Sequence, residues 1–386
     1  MRMPYFDHSA TTPVRPEVWE AMAPFLRERF GNPSSFHAFG RTARQALEEA
    51  REKTAALIDA SPDGIVFTSG GTEAVNTAVI GVARSLADRG RHIITSGVEH
   101  HASLDSARAL AEEGFEVTVL PVDGYGLVHP DQVREALTGG TILVNIMHAN
   151  NEVGTVMPVE EIGALTREKG IVFHCDAVQT AGKLPLSVDR LNVDLLSLSA
   201  HKFNGPKGTG ALYVRKGTPW KPLLHGGSQE RARRAGTENV AGIVGMGRAA
   251  ELAGRDMEGE SARCRVLRDR LIEGMLGLPD VVLTGHPVRR LPMHASFCLA
   301  GVEGEAVLLG LDMKGIAASS GSACTSGAME PSYVLTAMGI DTRLARGALR
   351  LTLGLGNTGD EIEACLREIG PLVARLRSMS PLAGAC

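Results

Sequence analysis

The sequence predicts an α/β fold: a large domain built on a mostly parallel sheet, followed by a smaller α+β domain. Two observations carry this prediction. From about Ile65 onward, short β-branched runs alternate with longer stretches whose apolar residues recur three and four positions apart. After about Arg255 the alternation gives way to a charged helix, short strands and a last helix.

The elements follow in order. Pro16–Arg29 and Arg41–Ile58 form two charged helical stretches ahead of the alternation. The strands of the large domain are expected at Ile65–Thr68, His92–Thr95, Val117–Leu120, Ile142–Asn145, Ile171–His174, Leu195–Leu198 and Ala211–Val214. Helices such as Thr72–Ala87 and Val159–Glu168 lie between them, so the strands pair in parallel through right-handed crossovers. Beyond them, a helix at Glu258–Leu276 leads into strands near Val281–Leu283 and Ser296–Leu299. A helix at Glu303–Leu311, a strand at Ala348–Leu353 and a helix from Asp360 complete the chain. The expected division is 15–257 for the large domain, with 1–14 and 258–386 forming the smaller one.

Composition removes several classes of function. At 386 residues and 44% apolar content, the chain buries an ample core without disulfide staples. A net charge of -4 lacks the basic footprint of a nucleic-acid binder. No apolar run approaches the roughly 20 residues of a membrane span, and the N-terminus carries no signal-peptide stretch. The six cysteines are scattered without a CxxC pair, which excludes a zinc ligand set or a disulfide framework. A soluble cytoplasmic protein without nucleic-acid or membrane partners is expected.

Asp176 and Lys202 are the most informative pair. Each follows an apolar run, and ligands of open parallel sheets sit at the carboxyl ends of strands. A carboxylate and an amine there can hold opposite sides of one flat cofactor. Pyridoxal phosphate asks for this pair: the lysine forms the Schiff base and the carboxylate keeps the pyridine nitrogen protonated. A surface aspartate and a solvated lysine are the plain alternative. Thr68-Ser69-Gly70-Gly71-Thr72-Glu73 joins a strand to a helix, and its free amides suit a phosphate, although such a turn also serves as an ordinary cap. Ser199 and His201 flank the lysine and can add donors. One of His100 and His101 suits a histidine stacked on the ring as an acid or base; capping a strand end is the alternative.

Two further features point to substrate and chemistry. Arg350 lies in an apolar strand, where its partner is either a substrate carboxylate gripped by a bidentate pair or an internal acid. The segment Gly315–Ala328 is filled with small residues and predicts a mobile loop, within which Cys324 can carry a thiolate to and from a pocket. Of the other five cysteines, Cys175, Cys264, Cys298 and Cys365 are expected to be inert and buried, and Cys386 is a tail residue.

Taken together, these motifs resemble the NifS/IscS-type cysteine desulfurases, members of the class V aminotransferase family with the type I pyridoxal-phosphate fold. The likeness runs nearly end to end. It includes Asp7-His8-Ser9-Ala10-Thr11-Thr12-Pro13, Gly31-Asn32-Pro33-Ser34-Ser35, Asn150-Asn151-Glu152-Val153-Gly154 and Arg234-Ala235-Gly236-Thr237-Glu238-Asn239. The stretch Ser320-Gly321-Ser322-Ala323-Cys324 marks the subgroup with the long mobile cysteine loop. The resemblance implies that Lys202 carries the cofactor, Asp176 pairs with its ring nitrogen, and Gln179 and Asn151 lie near its phenolic oxygen. It implies His100 stacked on the ring. Gly71, Thr72, Ser199 and His201 would hold the phosphate, with Thr237 reaching in from the second subunit of a homodimer. Arg350, with Asn151 beside it, would hold the carboxylate of L-cysteine. Cys324 would take its sulfur as a persulfide for an acceptor protein or thiol, an iron–sulfur scaffold among the candidates, leaving alanine.

Three departures accompany the likeness. The glycine-rich stretch before Gln229-Glu230 reads Gly226-Gly227-Ser228 where relatives often have three glycines. Scaffold-serving relatives extend further beyond a Ser-Pro-Leu than this sequence does after Ser380-Pro381-Leu382, which argues against docking at such a tail. His8 stands where relatives often carry another residue. Other readings are another pyridoxal enzyme of this fold, such as a selenocysteine lyase or an aminotransferase, and a non-enzymatic sulfur carrier or cluster holder using Cys324.

Overall fold

The computed structural model describes residues 3–321 and 331–379. Cys324 and Cys386 lie outside the described residues, as does the second half, 322–328, of the segment expected to carry the reactive thiol.

Two helices, α1 (Pro16–Arg27) and α2 (Ala38–Ala56), precede a seven-stranded sheet. Its strands are β1 (Ile65–Thr68), β2 (His92–Ser96), β3 (Glu116–Leu120), β4 (Thr141–Asn145), β5 (Val172–Asp176), β6 (Leu195–Ser199) and β7 (Gly210–Val214). They lie in the order β1-β7-β6-β5-β4-β2-β3. Strands β6, β5, β4, β2 and β3 pair in parallel, whereas β7 runs antiparallel to both of its neighbours. The crossovers include α3 (Gly71–Leu86), α4 (His101–Glu112), α5 (Pro130–Ala136) and α6 (Val159–Lys169). A three-stranded antiparallel sheet, β10-β9-β8, comprises β8 (Val281–Leu283), β9 (His294–Leu299) and β10 (Ala348–Thr352).

Adjacent residues of one strand face opposite layers, and the packing follows that period of two. Ile94, Val144 and Leu196 join the core on one side of the large sheet with Phe173 and Leu198. Their neighbours Ile93, Leu143 and Leu195 pack on the other side with Ala74, Ala78 and Val82 of α3. A separate cluster around Phe297, Leu349, Leu351 and Ile362 includes Phe6 from the N-terminal segment. That segment bridges Ala317 through Tyr5 and Thr352 through Asp7, so the start of the chain is laced to the small sheet.

One expected element is much longer than its sequence pattern. The helix predicted from Glu258 begins at Val240 and runs to Leu276, passing unbroken through 257 and 258. Its first turns carry Gly242, Gly245 and Gly247, which weaken the helical signal by roughly 1 kcal/mol each. Packing explains them. A Cβ on Gly247 would come within 2.5 Å of the Ala50 Cα, and one on Gly245 within 2.5 Å of the Met22 sulfur. The glycines let α1 and α2 approach the long helix closely, and tertiary contact overrides propensity.

Candidate active site

The carboxyl ends of β5 and β6 open into a cavity of about 320 Å³. Gly71, Thr72, His100, Asn151, Asp176, Gln179, Ser199, His201, Lys202 and Arg350, all singled out in the sequence, line it. Thr237 does not: it is exposed on the segment that precedes the long helix.

Asp176 is the last residue of β5, and its Oδ1 accepts the Val178 amide at 2.9 Å. Burial pushes its carboxyl up, while the Val178 amide, His100 and Lys202 pull it back. A buried carboxylate in this state is suited to a cationic N–H partner. Lys202 lies in a single 3₁₀ turn directly after β6. Its Nζ donates to the carbonyls of Ser9 at 2.5 Å and Ala10 at 2.8 Å, so the N-terminal segment holds the amine in place. The amide of Gln179 donates to the same Ser9 carbonyl at 3.0 Å.

The phosphate-type subsite lies at the start of α3. No side chain caps that helix, which leaves its first amides free, and Gly71 and Thr72 face the cavity. A Cβ on Gly71 would come within 2.9 Å of Val178 Cγ2, so glycine keeps this floor open. Ser199, at the end of β6, is buried beside it. Burial and the nearby lysines push His201 down to about 4, so it is neutral at physiological pH; its Nδ1 lies 3.1 Å from Thr11 Oγ1.

His100 and His101 separate. His100 lines the cavity and caps the helix α4, not a strand end, by accepting the Ala102 amide at 3.1 Å. Burial holds its ring below the ordinary imidazole range, with Asp176 raising it and Lys202 lowering it. His101 packs instead against the Tyr333 ring, 4.8 Å between centroids.

Arg350, on β10, is 2% exposed. It carries an internal acid, one of the two partners the sequence allowed. Nη2 donates to Asp7 Oδ1 at 2.8 Å and to Ser319 Oγ at 3.2 Å, and Nη1 donates to the carbonyls of Asn151 and Gly321. Its Nε is buried without a partner, as are Asn151 Oδ1 and Gln179 Oε1. Orphaned polar atoms around one cavity are the mark of a site completed by a ligand. An amine, a buried carboxylate, open helix amides and these atoms fit pyridoxal phosphate together with an amino-acid carboxylate.

Sequence reasoning missed Asp7, the carbonyls of Ser9 and Ala10, and Glu99. Asp7, Ser9 and Ala10 come from the remote N-terminal segment, which only the closed fold brings to the site, whereas Glu99 adjoins His100 in the chain and nothing local announces its burial. Glu99 is fully buried; its Oε1 accepts from Ser96 Oγ at 2.8 Å and from the Met147 amide at 2.9 Å. Burial pushes its carboxyl up to about 8, and Asp176 adds to that rise. The four cysteines expected to be inert are buried, and burial raises the thiols of Cys175, Cys298 and Cys365 far out of the reactive range.

Comparison with known proteins points the same way. Residues 4–365 match the model of the family "Aminotransferase class-V". The "Cysteine desulfurase IscS" of Dictyoglomus turgidum is 54% identical over 98% of this chain and 96% of its own length. Among solved structures, a "NifS-like protein" superposes with a TM-score of 0.92 at 41% identity, over 97% of this chain and all of that one. The structure titled "SspA in complex with cysteine" gives 0.81 at 37% identity, over 91% of this chain and 98% of that one.

Proposed function

The chain belongs to the aminotransferase class-V family, and on that premise we propose that this site performs the cysteine desulfurase reaction, with the residues of the cavity in the following roles. The cofactor, pyridoxal phosphate, supplies an electron sink for negative charge at the substrate α-carbon. Lys202 is the residue that would hold it covalently, Asp176 would keep its ring nitrogen protonated, and Gln179 and Asn151 would lie near its phenolic oxygen. The α3 amides with Thr72, Ser199 and His201 hold its phosphate, and neutral His100 covers its ring.

Arg350 receives the carboxylate of L-cysteine through its fork of donors. The Lys202 amine takes the α-proton and later returns a proton to carbon. The Cys324 thiolate attacks the substrate sulfur, so an S–S bond forms as the carbon–sulfur bond breaks. The electron pair stays on the carbon fragment, which leaves as alanine after protonation. A second thiol then removes the extra sulfur from Cys324 by exchange. The acceptor class is a protein or small thiol, with an iron–sulfur scaffold or a tRNA- or cofactor-thiolating partner as destinations.

The meeting of Asp176, Lys202 and Arg350 in one cavity carries this reading. A selenocysteine lyase or an aminotransferase would share all three, and Cys324 separates them. Incubation with sulfur-labelled cysteine, followed by peptide mass analysis, is expected to place one extra sulfur on the Cys324 peptide. Cys324→Ser should stop sulfide release while the cofactor's visible absorbance persists. Sulfide release at the parental rate from that variant would overturn the assignment.

A homodimer belongs to the same proposal. Thr237 is exposed, and so are Trp19, Leu26, Phe30, Phe36 and Phe39 of the α1–α2 region, Phe36 at 91%. Large aromatic side chains left in water suit burial against a second copy. A cytoplasmic setting belongs to the same proposal; no helix of the described residues is long and apolar enough to cross a membrane.

A further inference from the structure

A second cavity, of about 80 Å³, adjoins the first, and Lys202 lines both. The measure corresponds to room for on the order of five water-sized groups. Its wall is mainly apolar, with Phe203, Met257, Met293 and Leu353 around Lys183 and Cys264. The two halves of this wall come from different parts of the chain. Lys183 belongs to the loop after β5 and is tied to the long helix by the Ser261 hydroxyl, which donates to its carbonyl at 2.7 Å.

The Lys183 Nζ is buried and has no hydrogen-bond partner. The acidic groups nearby are already engaged. Glu260 is held by Arg263 at 2.8 Å, and Asp256 by Arg15 at 2.8 Å and Arg255 at 2.6 Å. Burial raises the Cys264 thiol, so it supplies no counter-charge. A lone buried amine is costly unless an anion reaches it. Burial first, and Lys202 second, push this one down to about 7. A half-open, mainly apolar cavity with one buried amine left unpartnered fits an occupant that restores the amine's charge: a few aliphatic carbons ending in one carboxylate.

We propose that this cavity binds a short-chain aliphatic monocarboxylate, its carboxylate on Lys183 Nζ and its chain against Phe203, Met257 and Met293. The desulfurase assignment does not enter the argument, which rests on the unpartnered amine and the lining alone.

Titration calorimetry on the cofactor-loaded protein tests it, with butyrate as the probe and butylamine as a control of equal size and opposite charge. Butyrate should bind saturably and butylamine should not. Lys183→Met keeps the length of the side chain and removes the charge; it should weaken butyrate by about tenfold or more, the loss expected of one charge-assisted contact. Ala253→Leu, which fills the same cavity from the long helix, should abolish binding with Lys183 intact. Absence of saturable butyrate binding, equal binding of butylamine, or unchanged affinity in both variants would overturn the proposal. The cofactor's visible absorbance, recorded on each sample, verifies that the variants are folded and loaded.

Discussion

At Arg350, a guanidinium buried to 2% exposure already holds an internal acid, and the proposed substrate carboxylate must share it. Asp7 occupies one donor at 2.8 Å, and Nε stays open. Asp7→Asn removes the negative charge while keeping the shape. The variant should lose about 1–3 kcal/mol of stability, because a buried cation forfeits its counter-ion. Its KM for cysteine should fall, since the substrate carboxylate then meets less competition for the fork. Thermal melting and steady-state kinetics measure the two effects, and a raised KM would show that Asp7 aligns the arginine instead. Glu99 gives a pH signature. Its folded pKa of about 8 lies above the ordinary 4.5, so its contribution to stability is full below about pH 4.5 and is lost as pH rises toward 8. Glu99→Gln should flatten the fall in melting temperature across that window, with at most about 5 kcal/mol at stake. An unchanged pH slope would show that the carboxyl is already ionised.

Among the elements, the segment before the long helix holds the most strained backbone. Glu230, Arg231 and Ala232 have φ of 47°, 60° and 62°, three successive side chains in the left-handed region, at about 1–2 kcal/mol each. Glu230 offsets that cost. It accepts two bonds from buried Arg51, at 2.7 and 2.8 Å, and one from the Phe67 amide at 2.9 Å. Glu230→Ala leaves buried Arg51 with only the half-exposed Glu48, at 3.2 Å, as an acidic partner, and should cost about 3 kcal/mol in denaturant unfolding. The paired change Arg51→Met with Glu230→Leu should recover most of it, whereas equal losses in both would place the stability in the turn itself. None of this was legible in the sequence. Arg51 sits in a charged helical pattern and Glu230 in a glycine-rich run, 179 positions away, with nothing local to join them. The strand Ile65–Thr68 was legible to the residue because a buried β-branched run states its own structure, and Val281–Leu283 was legible from its β-branched pair although Val282 is exposed. The first half of the long helix was not, because its glycines answer to α1 and α2 and not to the helix.

Across the whole molecule, the same contrast governs the site. Asp176, Lys202 and the Gly71-Thr72 turn were legible because each lies at the carboxyl end of a strand, and β1, β5 and β6 run in the same direction, which gathers those ends on one side of the sheet. Asp7 and the Ser9 and Ala10 carbonyls were not legible as site groups, since they arrive by a strap that links the small sheet to the lysine. Thr237 belongs to a third level, because on one chain it lies exposed and away from the cavity. Its proposed role requires a second copy, and the aromatic groups near α1 and α2 give that copy an apolar surface to cover. The rings of Phe30 and Phe39 already meet at 5.4 Å, which makes the patch a preassembled one. Phe36→Glu combined with Phe39→Glu should therefore shift the protein from dimer to monomer in light scattering. Fold should be kept, because both side chains are exposed, at 91% and 52%. The monomer should also lose pyridoxal phosphate on gel filtration more readily, as its phosphate would lack the partner's donor, and Thr237→Val should reproduce that loss within an intact dimer. A monomeric double variant that retains the cofactor as firmly as the parent would separate assembly from cofactor binding and remove Thr237 from the site.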